Sequence, residues 1–234
     1  MPNYFKSNLR MMFSGPYIPS GMSSNGRSLT SREIVTAFLF SGSGTSFQRH
    51  AGASCQMSQN SIKKAVDMCI NVMHEHFVPQ YIVLPTSEEA IQEALDTYTN
   101  TGFWPIGWGG IDGTLVLIIN PPKTKRKMFI SRKGTTALTV TIVAGPSGRI
   151  YAASANNVGK THDASVLRRS SIWELMENQK WKPFPGAILL GDSAYMTKLS
   201  WLATPYHEAI AKRDRRKAKY NAKFVRARNC VEQV

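Results

Sequence analysis

The sequence predicts an α/β protein: a mixed sheet with flanking helices, preceded by a small helical module. Three observations predict it. Leu138, Val140 and Ile142 alternate with Thr139 and Thr141, the two-residue period of a half-buried strand. Apolar residues between Ile34 and Phe40, and again between Ile62 and Met73, recur at helical spacing. Leu115–Ile119 and Ala187–Leu190 are short continuous apolar runs bounded by Gly, Asn or Pro, with the length and flanks of buried strands.

Taken in order, residues 1–29 are rich in Ser, Gly, Asn and Met and carry no sustained period, so they read as a flexible tail. Residues 30–105 read as a helical module and its connector. Ser31 is placed to cap a helix holding Ile34, Val35, Phe38, Leu39 and Phe40, which the Ser-Gly-Ser-Gly run at 41–44 ends. Thr45 or Ser46 opens a short helix with Phe47 and Ala51. Ser58 then caps a third, with Ile62, Ala65, Val66, Cys69 and Val72–Met73 as its apolar stripe. Two short helices joined by a tight turn, the second bearing Lys63 and Lys64, fit either a helix-turn-helix or an ordinary helical hairpin. The connector from Asp67 to Asp112 has seven acids and no Lys or Arg, with a helix start at Ser87-Glu88-Glu89.

Residues 106–234 carry the sheet. Ile111 leads into Leu115–Ile119. After the alternating strand at 138–142, Gly145-Pro146-Ser147-Gly148 makes a turn into a third strand, Ile150–Ala155. A helix from Asp163 to about Asn178 precedes the run Ala187–Leu190. Another short strand lies at Trp201–Thr204, and a basic helical segment closes the chain. A meander followed by alternating helices and strands describes a mixed sheet.

Charge narrows the function. The 234 residues have a formal net charge of +14, and two stretches account for all of it. Residues 123–133 hold Lys125, Arg126, Lys127, Arg132 and Lys133 among six basic side chains, with no acid. Residues 212–228 include Arg213, Arg215, Arg216 and Lys217 among nine, with Asp214 the one acid. Basic segments on a neutral body point to a polyanion such as DNA, although a charge run can also be just a solvated face. No apolar run approaches the roughly 18 residues of a membrane span, and the N-terminus lacks a signal-peptide h-region. Cys55, Cys69 and Cys230 form no CxxC pair and indicate neither a disulfide framework nor a zinc knuckle. The expectation is an intracellular, and given the charge a nuclear, protein.

Three acids stand where burial makes charge costly. Asp112 lies between apolar runs, in Gly110-Ile111-Asp112-Gly113-Thr114. Asp192 follows the most apolar short strand, in Gly191-Asp192-Ser193-Ala194-Tyr195, and Glu232 lies on the last helical segment. Carboxylates in such places need a partner or a cation. Three that converge would make an oxygen-ligand site for Mg²⁺ or Mn²⁺, the chemistry of phosphodiester cleavage. They could equally be two turn-capping aspartates and a surface glutamate, and residue by residue both readings stay open. Among nearby decoys, Gly159-Lys160-Thr161 lacks the first Gly of a P-loop, and Asp192-Ser193 is no Gly-x-Ser-x-Gly elbow.

Six segments occur in order: Gly110–Thr114, Arg132-Lys133-Gly134, His162-Asp163-Ala164, Gly191–Tyr195, Leu202-Ala203-Thr204-Pro205-Tyr206 and Val231-Glu232. Their series resembles the PIF/Harbinger superfamily of DDE transposases and their domesticated nuclease relatives. The likeness extends from about Leu29, because Gly42–Ser46 and Met57–Ile62 resemble the family's N-terminal helix-turn-helix. It implies an RNase H-like catalytic fold and metal-dependent DNA cleavage by a two-metal mechanism, with or without strand transfer. It also implies Asp112, Asp192 and Glu232 as catalytic metal ligands, 80 and 40 positions apart. Asp163 matches a further acidic position that supports the site, and His162 is placed near it. Some relatives borrow DNA recognition from a Myb-like partner, which the resemblance extends here by analogy.

Two departures qualify the likeness. Leu115 stands where the family usually has His, and the family continues in helix beyond Val-Glu, whereas this sequence ends at Gln233-Val234. The nuclease domain is thus expected to be C-terminally short, with its third acid near a fraying end. A catalytically inactive remnant that binds DNA or a partner protein is the alternative reading.

Overall fold

A computed structural model describes residues 17–42, 48–100, 106–119, 121–131, 133–158, 161, 163–195 and 199–232. They fall into two compact units divided between Gln80 and Tyr81.

The first unit is helical. Strands β1 (Met22–Ser24) and β2 (Arg27–Leu29) form a small hairpin, followed by α1 (Ser31–Gly42), α2 (Gln48–Cys55) and α3 (Gln59–Val72). A π turn (Met73–Phe77) and the short α4 (Val78–Tyr81) continue from α3. Ile18 and Leu29 join Ile34, Val35, Ile62, Ala65 and Cys69 in one core. The expected tail is therefore structured over 17–29. Its turn residues Asn25 and Gly26 both have positive φ, 50° and 78°, the geometry that Asn-Gly favours in a two-residue hairpin. Residues 1–16 lie outside the described set.

Capping fixes the helices. Ser58 accepts from the Ser61 N–H at 3.1 Å, as the sequence predicts for the start of α3. For α1 the cap is Thr30, not Ser31. The Glu33 N–H donates to Thr30 Oγ1 while Thr30 N–H donates to Glu33 Oε2 at 2.8 Å, a reciprocal capping box. Ser31 instead donates its hydroxyl to the Ile18 carbonyl at 2.5 Å. The expected opening of α2 at Thr45 or Ser46 lies outside the described residues, as does Phe47.

The second unit is α/β and RNase H-like. Helix α5 (Glu88–Asn100) leads to β3 (Gly107–Leu117), α6 (Lys123–Phe129), β4 (Ala137–Ala144) and β5 (Ile150–Val158). Then come α7 (Asp163–Arg168), α8 (Ser171–Trp173) running into a π turn (Glu174–Asn178), β6 (Ile188–Gly191), β7 (Leu202–Ala203), α9 (Glu208–Ala211) and α10 (Arg215–Glu232). The sheet order is β5-β4-β3-β6-β7, antiparallel in the meander and parallel from β3 through β7. Strand β4 alternates as expected but in the opposite phase: Thr139 and Thr141 are buried while Leu138, Val140 and Ile142 are half-buried, because both faces of this central strand are covered. The single helix expected over 163–178 is interrupted after Arg168, and Ser170 caps the second piece by accepting from Trp173 N–H at 3.3 Å. Helix α6, which no apolar stripe announces, starts after Pro121-Pro122.

Each sheet face has its own core. Trp108, Ile111, Val143, Leu189 and Leu202 pack with Leu167, Ile172 and Met176 of the α7–α8 segment. On the opposite face, Leu190 packs with Tyr98 of α5 and with Phe224 and Ala227 of α10. The Tyr98 ring lies about 3.1 Å from where a Gly107 Cβ would be, so bare backbone is needed there. That contact makes the connector from Tyr81 onward part of the sheet unit, while its first part, to Gln80, belongs to the helical unit. The boundary expected at 105/106 thus falls after the division at 80/81, because α5 packs onto β3 rather than bridging to it.

Candidate active site

The site begins with a register change in β3. Trp108 and Gly109 both face the α7–α8 core, Gly109 against Leu189, and the pairing with β6 shifts between Gly107 and Gly109. This bulge adds one residue to the strand. Beyond it, Gly110 faces α10, Ile111 returns to the α7–α8 core, and Asp112 faces α10 again.

Asp192 reaches the same side by a parallel route. Ile111 pairs with Gly191, the last residue of β6, so Asp112 and Asp192 are the next residues on neighbouring parallel strands. Adjacent strands lie about 4.8 Å apart, which sets two carboxylates side by side where β6 ends and β3 continues. Asp192 Oδ1 accepts from Ala194 N–H at 2.8 Å, and Asp112 Oδ1 accepts from Gly113 N–H at 2.9 Å. Asp192 is therefore oriented by its following turn, and Asp112 by the next amide of its own strand.

Helix α10 brings the third acid. Tyr220, Phe224, Ala227 and Val231 recur every three or four residues and form its sheet-facing stripe. A Cβ on Gly110 would come within 2.9 Å of Val231 Cγ1, so this glycine lets the last turns of α10 lie directly on β3. Arg228 and Glu232 follow stripe residues by one position and stand one turn apart at its edge. Arg228 Nη2 donates to Glu232 Oε1, and its Nη1 lies 3.7 Å from Asp112 Oδ1.

Asp112 feels the charge of both other acids. Burial raises its carboxyl above the ordinary aspartate range, and the charges of Asp192 and Glu232 raise it further. The Gly113 N–H and the Arg228 guanidinium act the other way. Three carboxylates are a hard-oxygen donor set suited to Mg²⁺ or Mn²⁺. In this arrangement, among the described residues, no three His, Cys, Asp or Glu side chains are gathered tightly enough to hold an ion. The guanidinium of Arg228 stands between Asp112 and Glu232. The sequence does not single out this arginine; its position four before Glu232 on an amphipathic helix is the one signal it offers.

The other predicted residues are distributed as follows. His162 and Arg132 lie outside the described residues, and Asp163 begins α7 with its side chain outside them. Lys63 and Lys64 are exposed on α3, in the helical unit. Arg126 and Lys127 on α6 and Lys133 beyond it are exposed, while the Lys125 side chain is not among those described. Arg213, Arg215 and Arg216 are exposed at the start of α10. Lys217 is engaged locally: its Nζ lies 3.9 Å from Asp214 Oδ2 and 5.3 Å from the Tyr206 ring centre. No described helix is long and apolar enough to cross a membrane.

Comparison with known families places the chain. A model of the DDE superfamily endonucleases matches residues 111–234, more than half of the sequence and a span that takes in all three acids. The chain belongs to that superfamily. No curated protein and no solved structure matches it.

Proposed function

We propose that the chain is a divalent-metal-dependent DNA endonuclease of the PIF/Harbinger branch, derived from a transposase, in which Asp112, Asp192 and Glu232 hold Mg²⁺ or Mn²⁺. The observation that carries this reading is the convergence of Asp192 and Glu232 on half-buried Asp112, on the α10 side of the sheet. When bound, paired ions would activate the attacking water and stabilise the leaving oxygen. Asp112 and Asp192 would be the shared ligands, with Glu232 completing the set from α10. The Gly113 and Ala194 amides hold one oxygen of each aspartate and leave the other to turn towards a ligand. Asp163 and His162 are proposed as supporting residues beside the site.

Exposed Arg126, Lys127, Lys133, Arg213, Arg215 and Arg216 would hold the DNA backbone, with Lys125, Arg132 and Lys217 in the same two basic segments. Such contacts position a duplex without reading its sequence. Lys63 and Lys64 on the helix-turn-helix-like α3 are the candidates for further DNA contact. By family analogy sequence choice could also come from a Myb-like partner, which a pull-down would detect. The basic charge is in keeping with work in the nucleus. The decisive experiment is plasmid nicking with Mg²⁺ or Mn²⁺: cleavage is expected from the native chain and not from Asp192→Ala. Cleavage that persists in the variant defeats the assignment.

Arg228 between two of the three acids favours a second reading, a metal-free remnant that binds DNA or a partner protein without cutting. Salt-dependent DNA binding with no cleavage in either metal would select it.

A further inference from the structure

Arg228 is the least expected member of the site. Its side chain is 14% exposed, it lies on the edge of α10 that faces β3, and its Nη2 is committed to Glu232. Its buried Nη1 makes no hydrogen bond; the nearest acid, Asp112, is 3.7 Å away, beyond hydrogen-bonding reach. A guanidinium can bridge two carboxylates through its planar fork, and one grip here is tight while the other is loose. A buried donor left without a hydrogen bond is costly, which marks this as a contact not optimised for stability alone.

The surroundings explain why a cation is there at all. Three carboxylates that meet at a strand end repel one another, and without a counter-charge the half-buried Asp112 would stand among negative charges only. An arginine four residues before Glu232 supplies that charge from the same helix. It is tethered, so it cannot diffuse away, and it requires no ion from solution. Its position is also where an ion shared by Asp112 and Glu232 would have to be.

We propose that Arg228 is a built-in counter-cation that holds the acidic site together in the absence of metal and must be displaced from Asp112 for metal to enter. The inference rests on the metal-dependent reading above and adds to it a competition within the chain. Because the grip on Glu232 is local to one helical turn, displacement needs only the loose Asp112 contact to be given up and the side chain to swing outward along α10. The arginine therefore lowers the site's affinity for a divalent cation while stabilising the metal-free fold.

The test measures Mn²⁺ binding in the full chain without DNA, by the electron paramagnetic resonance of free Mn²⁺ and by calorimetry. Native chain, Arg228→Gln, Arg228→Lys and Asp112→Asn are compared. Arg228→Gln is expected to bind Mn²⁺ about tenfold more tightly than the native chain, a difference near 1.4 kcal/mol. Arg228→Lys, with a compact charge that cannot bridge both acids, is expected to fall between them. Without metal, Arg228→Gln should melt below the native chain, and saturating Mn²⁺ should narrow the gap. If Arg228→Gln does not fold, the Arg228→Lys affinity decides alone. Native binding that is lost in Asp112→Asn but is no weaker than in the Arg228 variants overturns the competition and leaves the metal site standing. Absence of Asp112-dependent binding in native and Arg228 variants alike overturns both.

Discussion

Glu33 in the helical unit and Asp112 in the sheet unit are both carboxylates near an element's working end, and they are treated in opposite ways. Glu33 accepts from Thr30 N–H at 2.8 Å, from Thr30 Oγ1 at 2.9 Å and from Arg27 Nη1 at 2.6 Å. Those donors hold its carboxyl down to about 2, led by the Thr30 backbone bond. Asp112 accepts one backbone N–H and is pushed up by burial and by two neighbouring acids. A carboxylate placed for stability collects donors. Asp112 is left short of them, as its proposed role of holding a cation requires.

The largest expected effect separates the two roles. Asp112→Asn should reduce metal-dependent nicking by about a thousandfold or more, the several kcal/mol that a metal ligand controls. It should not lower the melting temperature at neutral pH. The sign follows from the raised pKa: folded Asp112 holds its proton more tightly than the unfolded chain does, so its ionisation costs stability as pH rises through that range. The variant's advantage should vanish at acid pH, where the native side chain is also neutral. A variant that cuts normally, or melts well below native at pH 7, would break the comparison.

Gly110→Ala should come next. The new methyl would meet Val231 at 2.9 Å and lift the turn that carries Arg228 and Glu232. A stability loss of about 1–3 kcal/mol is expected from denaturant titration, together with a tenfold to hundredfold drop in nicking from the misplaced acid, on the order that an ångström-scale shift produces. If both stay at native levels, α10 is not seated through this glycine.

Glu33→Gln should have the smallest effect and the opposite pattern. Cleavage is expected to be native, because Glu33 lies in the helical unit and caps α1. Its depressed carboxyl gives stability that is full above about pH 4.5 and fades as pH falls towards 2. Thermal melts should therefore show the variant below native at neutral pH and level with it near pH 2. A constant gap across that range would remove Glu33 from the acid limb.

Much of this contrast is legible in the amino-acid sequence. Strand β4 announces itself by alternation and α3 by its Ser58 cap, but burial is less legible: in the run Leu115–Ile119, which reads as a buried strand, Val116, Leu117 and Ile119 are exposed, and Glu232 is exposed while Asp112 is half-buried. The first half of β3 is less legible. Gly107-Trp108-Gly109-Gly110 has the composition of a loop, yet it is the buried centre of the sheet because glycines there admit Tyr98 and Val231. The β1–β2 hairpin escapes a reading by periodicity although Asn25-Gly26 signals it, because its strands are only three residues long. Arg228 is hidden among nine basic residues in 212–228, where total charge masks a single side chain turned inward.

The bulge at Gly109 has one more consequence. A pleated strand is a two-phase object, and every side chain downstream inherits the phase set upstream. The extra residue advances that phase by half a cycle, so that the bulky Trp108 and the charged Asp112, four positions apart and of equal parity, end on opposite faces. Deleting Gly109 would remove the bulge and leave Trp108 and Asp112 on their present faces, whereas a strand that kept Gly109 but ran flat through it would turn Asp112 into the Trp108–Leu167 core and present Ile111 to α10. One inserted residue thereby sets Trp108 and the proposed acidic site on opposite faces of the sheet.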